Sequence, residues 1–135
     1  MRAAVDIVEV TSEGRSSVFV AHLVARRRSW RGPVAFAMNA QFIGRHDVAP
    51  RGHPGDARIE VLQVAPTMPW RARVAARRRA ITGTHLPHPD LTVSSVTRTR
   101  LSFDRPLRVY LDGVFWMSTT QIDLTVRPAA VEVLV

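Results

Sequence analysis

The chain has 135 residues, a formal net charge of +8 and 46% hydrophobic residues, enough for one folded domain with its own core. All 19 basic residues are arginine, and the lack of cysteine excludes disulfides, thiolate chemistry and cysteine-held zinc. No apolar run approaches the roughly 18 residues that span a bilayer, and the first residues lack a signal-peptide succession, so a cytoplasmic protein is expected.

Most of the chain reads as short strands. Residues 5–10 lead through a turn at Gly14 into residues 17–24, two β-branched runs that predict an antiparallel pair. A break follows at Arg26-Arg27-Arg28 and Gly32-Pro33. Residues 34–39 are apolar at nearly every position and predict a central strand. Residues 44–55 hold Gly44, Gly52 and Gly55 with Pro50 and Pro54, an irregular loop, after which residues 59–64 resume alternation.

One helix is predicted, with Thr67 as its cap, Pro69 in its first turn and Gly83 as its stop. Trp70, Val74 and Ile81 form a narrow apolar stripe expected to face the core, and Arg71, Arg73, Arg77, Arg78 and Arg79 cover much of the rest. Six further strands are expected at 91–96, 100–103, 107–111, 114–117, 122–126 and 131–135. Short strands at this spacing predict a mainly β fold, a single antiparallel β-sandwich domain with one short helix over residues 1–135.

Six segments also occur in the order of a known domain. They are Phe36-Ala37-Met38-Asn39-Ala40, the loop with Gly44 that ends in Val48-Ala49-Pro50, and Asp56-Ala57-Arg58-Ile59-Glu60-Val61. Gly83-Thr84-His85, Leu111-Asp112-Gly113-Val114 and Val126-Arg127-Pro128-Ala129-Ala130-Val131 complete the series. Together they resemble the C-terminal domain of the diacylglycerol kinase and bacterial lipid kinase family.

The resemblance implies a glutamate after Leu-Asp-Gly, near the acceptor hydroxyl. Here the position is Val114, which has no proton-accepting atom, so no catalytic residue is assigned. Asp112 beside it is the one conceivable substitute, otherwise a turn residue. The resemblance also implies magnesium at Asp56. The family's following glycine is Ala57, and Asp47 is the only other nearby acid, so loss of the metal is the expectation. Family members carry a Gly-Gly-Asp-Gly-Thr phosphate loop in a separate nucleotide-binding domain. None of the seven glycines here adjoins another, so ATP and magnesium are expected only if the chain completes a split kinase. His46, His53, His85 and His88 lie in loop segments without zinc-site spacing and read as ordinary loop histidines.

Three functions follow as expectations. The first is a free-standing, non-catalytic homologue of the lipid kinase domain that binds a partner, either a separate nucleotide-binding domain or a second copy of itself. The second is the lipid-acceptor half of a split ATP-dependent diacylglycerol kinase. The third is a basic nucleic-acid-binding β-domain, disfavoured because the aromatics are not interleaved with arginine like a base-stacking platform. Arg71, Arg73, Arg77, Arg78 and Arg79 are the candidate contacts to an anionic lipid surface, which would place the protein at the membrane periphery.

Overall fold

The computed structural model describes residues 2–39, 42–43, 46–47, 58–80 and 89–134, with side chains described over 6–39, 58–79 and 89–127. Among these residues the elements run β1 (Arg2–Ser12), β2 (Arg15–Phe19), β3 (His22–Arg26), β4 (Val34–Met38), β5 (Phe42–Ile43), β6 (His46–Asp47), β7 (Ile59–Val64), α1 (Trp70–Ala80), β8 (Leu91–Val96), β9 (Arg98–Leu111) and β10 (Val114–Leu134). Eight strands form one sheet in the order β2-β1-β10-β9-β3-β4-β7-β8, antiparallel at every join, and β5 pairs with β6. The fold is mainly β with one helix, as the sequence predicts.

The sheet cannot be flat. Val20 and Ala21 alone join β2 to β3, so the facing strand ends lie within about 10 Å. Four places apart in a flat sheet, those strands would stand about 19 Å from one another. The sheet therefore curls until its two halves face each other. Asn39, just past β4, confirms this by donating from Nδ2 to the Asp6 carbonyl of β1 at 2.6 Å, although β1 and β4 are also four places apart.

Strand alternation fills the space between the halves. Val8 and Val10, Phe19, Leu23 and Ala25, Ala35 and Ala37, Ile59 and Val61, Leu107 and Val109, and Ile122 and Leu124 all point inward into one buried cluster. A smaller cluster of Met38, Leu62, Met68 and Leu91 lies apart from it, covered by Ala72 and Ala76 of α1. This corrects the expected helix face. Trp70 is 58% exposed and Val74 is half-buried, while the small Ala72 and Ala76, four residues apart, let the helix approach the strands closely. Ile81 and Gly83 lie outside the described residues.

Two further differences concern strand length. The five separate strands expected from 100 onward are merged into β9 and β10, 14 and 21 residues long. The chain remains paired through the polar segments that read as breaks, by bulging. Leu107 faces Thr119 and Ser102 faces Gln121, so the four residues 103–106 stand opposite Thr120 alone. Pro106, without an N–H, falls in this stretch. Nearby, buried Ser12 and Thr119 share a 2.7 Å hydroxyl contact, and Ser12 Oγ donates to the Gln121 carbonyl at 2.6 Å.

The two tight hairpins match their sequence signals. Glu13-Gly14 and Asp112-Gly113 have φ of 49° and 76°, and 49° and 84°, as a type I′ connection between twisted strands requires.

Candidate functional site

Asp112 sits at the tip of the β9–β10 hairpin, and its carboxylate turns back onto the β2–β3 link. Oδ2 accepts from the Val20 N–H at 2.9 Å, and Oδ1 accepts from the Ala21 and His22 N–H groups at 2.8 and 3.0 Å. The Asp112 N–H in turn donates to the His22 carbonyl at 2.9 Å. Both carboxylate oxygens are thus engaged by main-chain donors. Val114, two residues on, is 69% exposed, and Val20 and Phe115 are each 45% exposed. The tip therefore offers an apolar surface over an occupied carboxylate.

Asn39 closes the same end from the core side. Its Nδ2 also donates to the Val20 carbonyl at 2.9 Å, and its own N–H donates to the Ala21 carbonyl at 2.9 Å. The residue is 1% exposed, and its Oδ1 is buried without a partner among the described residues. His22 lies one residue before the inward-facing Leu23, so its ring belongs to the opposite face. Its Nδ1 is likewise buried and unpartnered among the described residues.

Burial lowers the His22 pKa below its ordinary value, against the pull of the Asp112 charge. The unfolded chain then binds the proton more readily, so stability rises with pH through this window. As pH falls from about 8 to below the unfolded value of about 6.5, the chain is expected to lose stability, and His22→Gln to lose less. Urea denaturation of both chains at the two ends of that range checks this, and equal losses would remove His22 as the source.

The predicted arginines divide. Arg71, Arg77, Arg78 and Arg79 are exposed on α1. Arg73 instead reaches main-chain carbonyls of three segments. Its Nε donates to Met68 at 2.9 Å and Nη1 to Trp30 at 2.8 Å, while Nη2 donates to Gly32 at 2.6 Å, Ala65 at 3.1 Å and Pro66 at 3.4 Å. It clasps the helix to the β3–β4 loop, and its guanidinium is committed there. Asp56, Ala57, Ala40 and the side chains of Asp47 and all four loop histidines lie outside the described residues. Among the described residues no three His, Asp or Glu come together as a metal group, and no helix is long and apolar enough to cross a membrane.

Comparison with solved structures places this architecture. A diacylglycerol kinase from Bacillus anthracis str. Sterne superposes with a TM-score of 0.72 at 11% identity, covering 98% of this chain and 53% of that one. The fold is that of a diacylglycerol kinase domain. Two further structures assigned as diacylglycerol kinases from the same strain match with TM-scores of 0.59 and 0.57, each at 12% identity. These cover 93% and 96% of this chain and 38% and 39% of theirs. The chain thus spans about half or less of the kinases it matches. No family model and no curated protein matches it. The resemblance read from the six segments holds at the level of fold.

On this diacylglycerol kinase fold, one arrangement was not legible along the chain. Arg26 lies over the Trp30 ring at 4.2 Å and over the Tyr110 ring at 4.6 Å, and Arg108 lies over Phe115 at 4.4 Å and Tyr110 at 5.9 Å. Guanidinium and ring therefore alternate in space as Trp30, Arg26, Tyr110, Arg108, Phe115. Residues on three adjacent strands, β3, β9 and β10, and the following loop build the row, on the face opposite inward-pointing Ala25 and Val109. The aromatics are interleaved with arginine after all, across strands rather than along one. The Arg108-x-Tyr110 spacing, two residues apart on a strand, was the available signal.

Proposed function

We propose that this chain is a non-catalytic relative of the diacylglycerol kinase C-terminal domain that acts as a binding or partner domain. The observation that carries this reading is the β9–β10 tip. Position 114, where the resemblance calls for glutamate, holds an exposed valine. Asp112 beside it has both carboxylate oxygens committed to three main-chain N–H donors, which fixes the side chain in the turn. The partner role draws support from β8, an outermost strand of the sheet whose sequence Leu91-Thr92-Val93-Ser94-Ser95-Val96 contains neither charge nor proline. Arg58 donates to the Ser95 hydroxyl and carbonyl at 2.8 and 2.7 Å near one end, and the rest of such an edge can accept another chain's strand.

A second reading rests on the share of the kinase structures that the chain spans: the acceptor half of a split lipid kinase, with ATP and magnesium held by the other half. One assay separates the two. Transfer of phosphate from ATP to diacylglycerol in mixed vesicles is measured with the chain alone, with a diacylglycerol kinase nucleotide-binding domain alone, and with both. The proposal expects transfer at the blank rate in all three; transfer that appears only in the mixture favours the split kinase. Val114→Glu is expected to change stability by no more than about 0.5 kcal/mol, because the side chain is exposed and free of strain. Urea denaturation checks this, and a larger loss would mean that the tip is not the open site described.

A further inference from the structure

We infer that the arginine–aromatic row on the outer face of β3, β9 and β10 is a docking surface for anionic phospholipid headgroups. Four observations converge on it. First, Arg26 and Arg108 have no ion-pair partner among the described residues, although Arg100 and Arg127 find Asp123 and Glu9. Arg28 adds a third positive charge close to Tyr110. Like charges gathered on one face without a counter-charge repel, and an anion relieves that repulsion.

Second, the phenol of Tyr110 reports the field. The hydrogen bond from Arg108 Nε at 2.9 Å, with the charges of Arg26, Arg108 and Arg28, lowers its pKa although partial desolvation opposes this. Negative charge is favoured at this spot. Third, the ends of the row are rings in the open, the amphipathic indole of Trp30 at 41% and the apolar ring of Phe115 at 45% exposure. Such rings suit the headgroup level of a bilayer, where arginine meets phosphate.

Fourth, Trp30 is held there against its backbone preference. Its φ of +62° is unfavourable for a bulky residue by about 1–2 kcal/mol. It is fixed by its own N–H to the Arg27 carbonyl at 3.1 Å, by the Arg73 bond to its carbonyl, and by Arg26 on its ring. Strain of this kind, at a tryptophan that stays 41% exposed although Arg26 and Phe36 pack on its ring, fits presentation to a ligand.

The same geometry disfavours single-stranded nucleic acid. Bases need open ring faces, and the Trp30 ring already has Arg26 over it and Phe36 stacked at 6.3 Å. Arg26 Nη1 donates to the Arg27 and Arg28 carbonyls at 3.1 and 3.4 Å and Arg108 Nε to the Tyr110 hydroxyl, so among the described residues it is the remaining guanidinium N–H groups that face phosphate oxygens of a headgroup layer.

The surface is tested by sedimentation with phosphatidylglycerol vesicles against phosphatidylcholine vesicles. The chain is expected to pellet with the first and not the second. Arg26→Gln with Arg108→Gln is expected to weaken the partition about thirty-fold, from two basic residues near an anionic surface. Arg77→Gln, Arg78→Gln and Arg79→Gln together are expected to change it less than about threefold, since those side chains lie on α1 and not on the row. The reverse ranking would overturn the proposal. An independent readout needs no arginine variant: in a Trp70→Phe, Trp116→Phe chain, the remaining Trp30 is expected to be quenched by brominated phosphatidylglycerol. Absence of quenching sinks the idea, as does retention of a single-stranded oligonucleotide by the row without any vesicle binding.

Discussion

Arg73→Ala is expected to destabilise the protein by about 4 kcal/mol, at about 1 kcal/mol for each of the four bonds no longer than 3.1 Å. The guanidinium is a single plate wedged among carbonyls of the β3–β4 loop, the segment after β7 and Met68, two residues before α1. Without it these acceptors lose their donor together, and the contacts of α1 with the smaller apolar cluster are the small ones of Ala72 and Ala76. Arg73→Lys is expected to recover less than half, because an ammonium cannot donate in a planar fork to carbonyls on several sides. Burial lowers the Arg73 pKa somewhat, with Asp90 countering it, yet an arginine stays charged through ordinary pH. The loss should therefore be flat between about pH 6 and 9. Urea denaturation gives the energy, and amide exchange shows whether α1 loses protection first. A loss below about 1 kcal/mol would mean that water replaces the clasp without cost.

Asp112→Ala is expected to cost about 3 kcal/mol. It removes three hydrogen bonds to the β2–β3 link and places alanine at a φ of 49°, where aspartate and asparagine are better tolerated. Asp112→Asn separates the two effects. Its amide oxygen can still accept from Ala21 and His22, so the expected cost falls to about 1 kcal/mol. Equal costs for both variants, measured by urea denaturation, would assign the effect to charge and not to the turn. The comparison bears on function too, since a carboxylate with so large a structural role is not at liberty to move toward a substrate.

These two side chains mark how far the sequence could be read. Asp112-Gly113 announced its hairpin because a two-residue turn with positive φ has few acceptable residues. It could not announce the long-range bonds, whose donors lie about 90 positions away. Arg73 was indistinguishable from its neighbours on α1, since its partners are main-chain carbonyls and carry no residue-type signal. The helix face was misread because Trp70 dominates any apolar pattern while Ala72 and Ala76 barely register. The breaks read into β9 and β10 have a similar origin. Asp104, Arg105 and Pro106 look like loop residues and are exposed, but a bulge lets the ladder resume beyond them. Strand identity and fold class survived because alternation of Leu107, Val109 and Leu111, or of Ile122 and Leu124, is a local property.

The pairing of the first strand with the last sets a timetable for the molecule. Arg2 stands opposite Leu134, and Val10 opposite Leu124, so the β1–β2 hairpin gains its neighbour in the sheet only once β10 has left the ribosome. The early hairpin must wait with the free edge of β1 unpaired until β10 arrives. Pairings this distant in sequence belong to the slow end of single-domain folding, milliseconds to seconds, and the waiting interval is when the nascent chain is most open to chaperones or to capture by other strands.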